Sequence, residues 1–329
     1  MAYSSEIVRR ARVRLESMKA DKESVTRERL QTVYRQIPRV REIDMELRKS
    51  MVLATQAVFA GGENAQQTLE EVKQANLQLQ AARKQLIDTA FGPDYLDETP
   101  VCSHCDGLGY VGSQMCSCLQ ELCRQEQKKE LSLLSCGEAS FQDFDLNFYP
   151  DRTIPGSNFT YRNLMDRTYK DCMAFARTFD KSSGNLLFSG DTGLGKTFLS
   201  ACIAKTVAEK GCWVVYESAV HLFEKMEKAK FSGDGDAARE VEKYTACDLL
   251  IVDDLGTEMA GQFVTTALYT LINDRLLSGK STIISTNLTG EEMEKRYSSQ
   301  ILSRLRGNYT RMAFVGDDVR ILKNRRKPL

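Results

Sequence analysis

The sequence predicts an α/β domain built on a five-stranded parallel sheet, preceded by a helical arm and a small cysteine-rich segment. From Phe141 onward, short apolar runs rich in β-branched residues alternate with helical stretches, a pattern typical of a parallel sheet flanked by helices. A glycine-rich phosphate-binding motif joins the first apolar run to the helix after it. The five predicted strands are Leu186–Ser189, Trp213–Glu217, Leu249–Asp253, Thr282–Thr286 and Met312–Val315.

The helical arm comes first in the chain. Its residues are mostly helix-forming Glu, Gln, Lys, Arg, Leu and Ala, and only Pro38 interrupts them. Gly61-Gly62 is typical of a turn between two helices, and Gly92-Pro93 of the end of the second. We therefore expect a helical hairpin preceded by another helix. A helical arm of this composition is more often a partner-docking or packing element than a catalytic one. The last helix carries a stripe at three- and four-residue steps, broken by two polar positions: Leu69, Val72, Asn76, Leu79, Arg83 and Leu86.

The bulk composition favours a cytoplasmic protein without a membrane partner. The chain has 329 residues, and its 45 basic residues balance 45 acidic ones, so no overall field favours nucleic acid or membrane. No apolar run approaches the ~20 residues that span a bilayer, and the N-terminus lacks the apolar segment of a secretory signal. Cysteines such as Cys172 and Cys202 are scattered among apolar residues, as reduced core cysteines are.

A phosphate-binding loop lies between the first predicted strand and the predicted helix Phe198–Lys210. Its glycines let successive backbone N–H groups face phosphates, and the helix N-terminus adds a partial positive charge. Lys196 is expected to reach the β- and γ-phosphates and the Thr197 hydroxyl to bind Mg²⁺, whereas a purely structural turn is the alternative. The loop matches G-x-x-x-x-G-K-[ST] and consists of Gly190, Asp191, Thr192, Gly193, Leu194, Gly195, Lys196 and Thr197.

Two carboxylates, Asp253 and Asp254, end a later apolar run. This is typical of a buried central strand that delivers acids to the sheet edge where ligands bind. Asp253 is expected to hold Mg²⁺, directly or through water, and Asp254 to polarise the attacking water. The alternative is that the pair caps a helix or opens a turn at Leu255-Gly256. Asn287 ends the next strand, where its amide could orient that water, although an Asn there is also typical of a turn.

Four cysteines have the spacing C-x₂-C-x₁₀-C-x-C. Soft thiolate ligands this close in sequence favour a closed, structural, tetrahedral Zn²⁺ site. Gly107 and Gly109 follow the first pair and can free backbone N–H groups for the thiolates. Cys123 and His104 are spare candidate ligands, and unmetallated cysteines or a redox C-x-x-C pair are the alternatives. The predicted zinc ligands are Cys102, Cys105, Cys116 and Cys118.

The motifs occur in a distinctive order: the strand and phosphate loop, LLIVDDLG, TIISTN, Ile301–Leu305 and Phe314–Arg320. This order resembles the bacterial DnaC/DnaI-type replicative-helicase loaders, which are AAA+ ATPases close to the IstB transposition helpers. The resemblance runs from about Phe141 to Lys323, and more weakly over Tyr34–Asp44. It implies a P-loop AAA+ domain, and because nine residues follow Arg320, no full lid domain is expected.

The resemblance also divides the chain and assigns roles. Residues 1–95 would bind a partner, 96–140 would form a zinc knuckle and helical linker, and 141–329 would form the AAA+ domain. Loaders of the DnaI type carry a zinc site in their N-terminal region, in a different arrangement. By position, the Walker A motif is matched by Gly190, Gly195, Lys196 and Thr197, and the Walker B motif by Asp253 and Asp254. Sensor 1 is matched by Asn287, and the sensor 2 arginine by Arg320. The linker that lies against the adenine is matched by Phe141 and Phe144. Arg304 matches the arginine finger that reaches a neighbouring subunit's γ-phosphate, although a surface arginine paired with acids is the alternative.

The expected function is that of a helicase loader that hydrolyses ATP as a switch. Its expected partners are the replicative DNA helicase, single-stranded DNA and further copies of itself, assembled through the ATP site. An IstB-like helper of a transposase is the first alternative. A P-loop phosphotransferase and a non-catalytic adaptor with a structural nucleotide site are the others. The long arm and the cysteine cluster favour the loader, and the paired acids disfavour the phosphotransferase.

Overall fold

The computed structural model describes residues 3–60, 63–96, 99–132, 139–233 and 235–326. The chain divides into two compact units, one of residues 12–119 and one of residues 120–329 together with the start of the chain up to Ala11. The predicted Gly61-Gly62 turn lies outside the described residues. No helix in the described ranges is long and apolar enough to cross a membrane. The three-part functional division made from the sequence stays a prediction.

Three long helices confirm the predicted arm: α1 (Ser5–Gln36), α2 (Pro38–Ala60) and α3 (Glu63–Phe91). Pro38 opens α2, where a proline costs no helical hydrogen bond. The two polar positions that break the stripe of α3 bond across to α2. Arg83 donates to Asp44 at 2.8 Å, and Ser50 donates to the Asn76 side chain at 2.6 Å. These polar pairs therefore fix the register of the α2–α3 hairpin while apolar contacts hold it together.

The cysteine-rich segment forms a small antiparallel hairpin of β1 (Tyr110–Val111) and β2 (Gln114–Met115). Helix α4 (Ser117–Ser132) follows at once. The linker helix that the sequence predicts over residues 124–140 therefore begins earlier, inside the cysteine motif, and Cys116 and Cys118 flank its first residue.

The second unit carries the predicted five-stranded parallel sheet, with the strand order β4-β5-β6-β3-β7. Its strands are β3 (Asn185–Ser189), β4 (Val214–Ser218), β5 (Leu249–Leu255), β6 (Ser281–Thr286) and β7 (Tyr309–Ala313). Its helices are α5 (Tyr161–Thr178), α6 (Lys196–Glu209), α7 (Ala219–Phe231), α8 (Gly235–Ala246), α9 (Gln262–Leu277), α10 (Gly290–Arg296), α11 (Ser299–Asn308) and α12 (Val319–Arg326).

Helices cover both faces of this sheet, and the core lies on each side of it. Along β5, Leu249 and Ile251 pack into one apolar cluster while Leu250 and Val252 pack into the other. This alternation follows from the two-residue period of a strand, and burial on both faces explains the continuous apolar run. Because these strands are parallel, the carboxyl ends of β3, β5 and β6 meet at one edge of the sheet.

Candidate functional site

A cavity of about 420 Å³ opens at this carboxyl edge. It brings together the phosphate loop, the end of β5, the residue after β6 and the start of α12. It also receives a wall of aromatic and acidic residues that precedes α5. The cavity is lined by Thr192, Gly193, Leu194, Gly195, Lys196, Thr197, Phe198, Asp254, Asn287, Val319, Arg320, Lys323, Asp143, Phe144, Asp145, Phe148 and Tyr149.

The phosphate loop needs glycine at two points of close approach. Gly190 has φ +151, and a Cβ there would collide with the backbone carbonyl of Phe314. Gly193 has φ +75, and a Cβ there would collide with the Asp318 carboxylate. Helix α6 begins at Lys196, two residues before the predicted start, so its first turn is part of the cavity wall. The N–H groups of that turn are the anion-binding end of the helix.

Lys196 lies almost fully buried, at 4% exposure, beneath this loop. Its ammonium donates to the backbone carbonyls of Gly190 and Asp191, each at 2.7 Å, and to the Asn287 side chain. Gly190 and Asp191 therefore support the lysine from beside the cavity instead of lining it. Burial lowers the pKa of Lys196, and the nearby Asp254 carboxylate acts in the opposite direction.

The two carboxylates after β5 face different surroundings. Asp254 lines the cavity, and burial raises its pKa, followed in effect by the negative charge of Asp253. Asp253 is 6% exposed and accepts hydrogen bonds from the hydroxyls of Tyr216, at 2.7 Å, and Ser285. It is not part of the cavity lining, but a carboxylate accepting two hydroxyls still has lone pairs for a metal-bound water.

Asp254 also opens a turn, as the alternative interpretation of the sequence proposed. Its backbone has φ +56, unusual for a residue other than glycine, and its carbonyl accepts from the Thr257 N–H at 3.2 Å and hydroxyl at 2.8 Å. Its own N–H donates to the Ser285 hydroxyl at 2.8 Å. Turn formation and placement in the cavity are thus properties of the same residue.

Arg320 extends into the cavity from the second residue of α12. The Val319 N–H donates to the Gly193 carbonyl at 3.0 Å, and Asp318 caps α12 by accepting from the Arg320 N–H at 2.8 Å. The start of α12 is therefore attached directly to the phosphate loop. The positive charge of Arg320 also counteracts the rise of the Asp254 pKa.

An aromatic wall closes the other side of the cavity. Phe144 stacks between Tyr149, with ring centroids 5.5 Å apart, and Tyr169, at 5.0 Å. Tyr149 donates to the Leu194 carbonyl at 3.0 Å, which attaches this wall to the phosphate loop. Phe141, predicted to face the base with Phe144, instead packs edge-on against Tyr169 outside the cavity lining. Sequence reasoning missed Tyr149, since no local motif marks it.

Arg304 does not line the cavity. It lies half-buried on α11, where its guanidinium stands 4.3 Å from the ring centroid of Tyr269 and donates to the Tyr269 hydroxyl at 2.6 Å. A longer contact of 3.4 Å reaches the Asn273 side chain, so both partners come from α9. The surface ion pair considered as the alternative is not what holds it among the described residues.

The four predicted zinc ligands converge around the β1–β2 hairpin, with all sulfur atoms within 4.8 Å of one another. The Cys102–Cys116 and Cys105–Cys118 sulfur pairs are 3.8 and 3.5 Å apart. Tetrahedral sulfur ligands ~2.3 Å from an ion are ~3.8 Å from each other, so this donor set fits Zn²⁺.

The backbone around the cluster supports thiolates. The Gly109 N–H donates to the Cys105 sulfur at 3.2 Å, as the position of that glycine suggested. The pKa of Cys116 is lowered to about 6, first by the backbone N–H of Cys118, whereas burial raises the pKa of the Cys118 thiol. Cys123 is buried in the other compact unit, and His104 is outside the described four-cysteine group.

Comparison with known families identifies the class to which the site belongs. Residues 141–326 match the profile of the family described as IstB-like ATP binding protein. This match covers more than half of the chain, and the protein belongs to that family. The matched segment contains the whole sheet and every residue of the cavity.

Particular relatives carry the name expected from the motifs. The "Replicative helicase loader DnaC" of Buchnera aphidicola subsp. Acyrthosiphon pisum (strain APS) is 24% identical over 157 residues, 47% of this chain and 63% of that protein. Its namesake from Escherichia coli (strain K12) is 26% identical over 148 residues, 44% of this chain and 60% of that protein. A crystal structure of the DnaC helicase loader matches with 19% identity and a TM-score of 0.45, covering 53% of this chain and 98% of that one.

The family match and the curated relatives confirm the resemblance to DnaC-type and IstB-type proteins that the motif order predicted. The chain spans less than two thirds of the length of either curated loader.

Proposed function

We propose that this protein is a helicase loader that binds ATP and hydrolyses it slowly, as a switch. The observation that carries the proposal is the cavity in which the phosphate loop, Asp254, Asn287 and Arg320 meet. An anion-binding helix terminus, a buried lysine, a carboxylate and a second cation are the groups that polyphosphate binding and hydrolysis require. The aromatic wall supplies an apolar contact surface for a base.

Each group of the cavity has a role in this proposal. The loop from Gly190 to Thr197 binds the phosphates, Lys196 neutralises the β- and γ-phosphates, and Arg320 stabilises the γ-phosphate from α12. Phe144 packs against the adenine. Bound phosphate oxygens would replace the carbonyl and amide oxygens to which the Lys196 ammonium now donates.

Magnesium and water belong to the opposite side of the phosphates. The Thr197 hydroxyl and Asp253 would hold Mg²⁺, Asp253 through water, and the ion would neutralise charge developing on the phosphates. Asp254 polarises the attacking water and Asn287 orients it. The opposing effects on the Asp254 pKa keep this carboxylate sensitive to both neighbouring cations.

Completion of the site by a second copy explains slow turnover. Arg304 lies outside its own cavity and is held on α11 by Tyr269. We propose that it serves as the arginine finger of a neighbouring subunit, which can contribute ~10³–10⁵ in rate. An isolated subunit would then bind ATP without consuming it rapidly, and assembly through the ATP site would start hydrolysis.

The N-terminal unit supplies the partner contacts in this proposal. The α1–α3 arm binds the replicative helicase, and Zn²⁺ held by Cys102, Cys105, Cys116 and Cys118 stabilises the knuckle beside it. The ATP state controls the grip on single-stranded DNA. These partners are those of a cytoplasmic protein.

An IstB-like helper of a transposase is the second candidate, favoured by the family description of the matched profile. Such a helper grips duplex DNA. Measuring ATP turnover with single-stranded DNA, duplex DNA, a nucleoside or no addition separates the candidates. Stimulation of ATP turnover by single-stranded DNA supports the loader, and stimulation by duplex DNA supports the transposase helper. Stimulation by a nucleoside supports the phosphotransferase.

Mixing two inactive variants tests the switch directly. Lys196→Ala should abolish turnover, and Arg304→Ala should keep ATP binding but lose assembly-dependent hydrolysis. Their mixture should recover turnover, because Arg304 of the first protein completes the intact cavity of the second. Arg306→Ala is the matched control, since Arg306 is an exposed arginine two residues further along the same helix. Absence of recovery, with mixed assembly confirmed by sedimentation, contradicts the intersubunit role.

A further inference from the structure

A buried acid lies four residues beyond Asp254, in the loop between β5 and α9. Glu258 is 5% exposed, and its side chain alone is 3% exposed. A carboxylate this deeply buried carries a desolvation cost that requires several partners. The role proposed for the cavity does not use it.

The partners of Glu258 come from two separate places. On one side its carboxylate accepts from the Gly256 N–H at 2.8 Å, within the turn that Asp254 opens. On the other side it accepts from the Tyr297 hydroxyl and pairs with the Arg296 guanidinium at 3.4 Å. Arg296 also donates to the Glu258 backbone carbonyl. One side chain therefore connects the turn after β5 to the end of α10.

The end of α10 is also the start of the helix that carries Arg304. Arg296 ends α10, Tyr297 follows it, and Ser298 caps α11 by accepting from the Ile301 N–H at 3.3 Å. Tyr297 is 5% exposed, so the junction is held in the core. Helix α11 leaves this junction with its first residues fixed, and Arg304 lies less than two turns further along.

The turn on the other side is equally constrained. Asp254 adopts φ +56, and a Cβ at Gly256 would press on the Leu288 side chain that follows Asn287. A displacement of the Asp254 backbone would therefore also move the Gly256 N–H, which Glu258 binds. Packed cores transmit such shifts because they have few alternative arrangements.

We propose that Glu258 is a positioning residue that couples the Asp254 turn of one subunit's cavity to the Arg304 helix that the same subunit presents to its neighbour. The inference rests on the proposed role of Arg304 in a neighbouring site. Through Glu258, the Asp254 turn and the start of the Arg304 helix share one set of contacts, so disturbing Glu258 displaces both ends within the same subunit. The ion pair between the buried Glu258 carboxylate and the half-buried Arg296 lies between the two elements in the fold.

Glu258→Gln tests this coupling, because it keeps the size of the side chain and removes its charge. The variant can be placed separately on each side of the complementing mixture. Combined with Lys196→Ala it can act only as the donor of Arg304, to an Arg304→Ala partner. Combined with Arg304→Ala it can act only as the acceptor, from a Lys196→Ala partner.

Recovered turnover should fall at least about tenfold in both mixtures, since a misplacement of 1 Å can cost ~10²-fold in rate. ATP affinity of Glu258→Gln alone should stay within about twofold of the parent, measured by titration with a fluorescent ATP analogue. Glu294→Gln is the matched control, an exposed acid on α10, and should leave both mixtures unchanged. Tyr297→Phe removes one donor and should weaken both mixtures less, which covers the case of a poorly folded Glu258→Gln.

Each result distinguishes the coupling from the proposed function. Recovery in the unsubstituted mixture with no effect of Glu258→Gln or Tyr297→Phe overturns the coupling alone. A fall in recovered turnover confined to the acceptor mixture means that Glu258 serves only Asp254. A fall confined to the donor mixture means that Glu258 serves only Arg304. Either result rejects the link between the two. No recovery even in the unsubstituted mixture rejects the intersubunit role of Arg304 and the coupling with it.

Discussion

Gly193→Ala should destabilise the ATP-binding unit by two separable effects. Gly193 has φ +75, and a Cβ there would lie much closer than 3.0 Å to the Asp318 carboxylate. An L-residue in a left-handed conformation costs about 1–2 kcal/mol, reduced by about 0.4–1 kcal/mol because alanine restricts the unfolded chain. Displacing Asp318 removes the cap of α12, which costs about 1 kcal/mol more. The expected total is about 2 kcal/mol.

Two further variants isolate these effects. Gly156 has φ +74 and open space around its Cβ position, so Gly156→Ala measures the backbone cost alone, about 1 kcal/mol. Asp318→Ala measures the cap alone, also about 1 kcal/mol. If the alanine at 193 already displaces Asp318, the double variant Gly193→Ala/Asp318→Ala should cost about 2 kcal/mol, whereas independent effects would add to about 3 kcal/mol.

The assay uses the single tryptophan of the chain. Trp213 is 8% exposed and belongs to the apolar core of the same compact unit, so its fluorescence during urea unfolding reports this unit. Free energies of unfolding come from linear extrapolation at matched slopes. Additive costs in the double variant, or equal costs for Gly193→Ala and Gly156→Ala, would refute the contact between Gly193 and Asp318.

Two further predictions concern the ligands. Zinc should co-purify at about one ion per chain, with sulfur ligands at ~2.3 Å by X-ray absorption. Cys105→Ser should lose the zinc and weaken helicase binding, while ATP binding survives. Protein that contains no zinc when purified without chelator would reject the site. Phe144→Ala should weaken ATP binding by roughly tenfold, since Phe144 lines the cavity and an aromatic contact with a base contributes ~1–3 kcal/mol. Phe141→Ala is the control, because Phe141 lies outside the cavity lining. Equal losses in the two phenylalanine variants would mean that the aromatic wall acts only through stability.

The central strands were predictable because burial on both faces leaves a continuous apolar run in the sequence. Leu249–Val252 in β5 is such a run, whereas β6 (Ser281–Thr286) is marked by its β-branched threonines and isoleucines. Both predicted positions are confirmed to within two residues. The last strand was placed too late, at Met312–Val315 instead of Tyr309–Ala313. It is an edge strand that pairs only with β3, so polar residues such as Arg311 interrupt its apolar pattern.

The phosphate loop and the paired acids were recognisable because local spacing determines their chemistry. Tyr149 and Glu258 were not, because each acts through contacts with residues distant in the sequence. Tyr149 meets the loop at Leu194, and Glu258 meets Tyr297. Aromatic and acidic residues outside a motif have no local pattern that separates a cavity wall from an ordinary core or surface position.

The strained backbone at Asp254 is the point where nucleotide binding can change the conformation of the cavity. A residue such as Asp254, left-handed without being glycine, costs about 1–3 kcal/mol and persists only because its surroundings hold it. Those surroundings are the Ser285 hydroxyl on its N–H and the Thr257 turn on its carbonyl. Because Ser285 also donates to the Asp253 carboxylate, one hydroxyl connects that carboxylate to the backbone N–H of Asp254. A γ-phosphate and its magnesium ion would act on both carboxylates together, so hydrolysis should release the turn after β5 as a unit and not residue by residue.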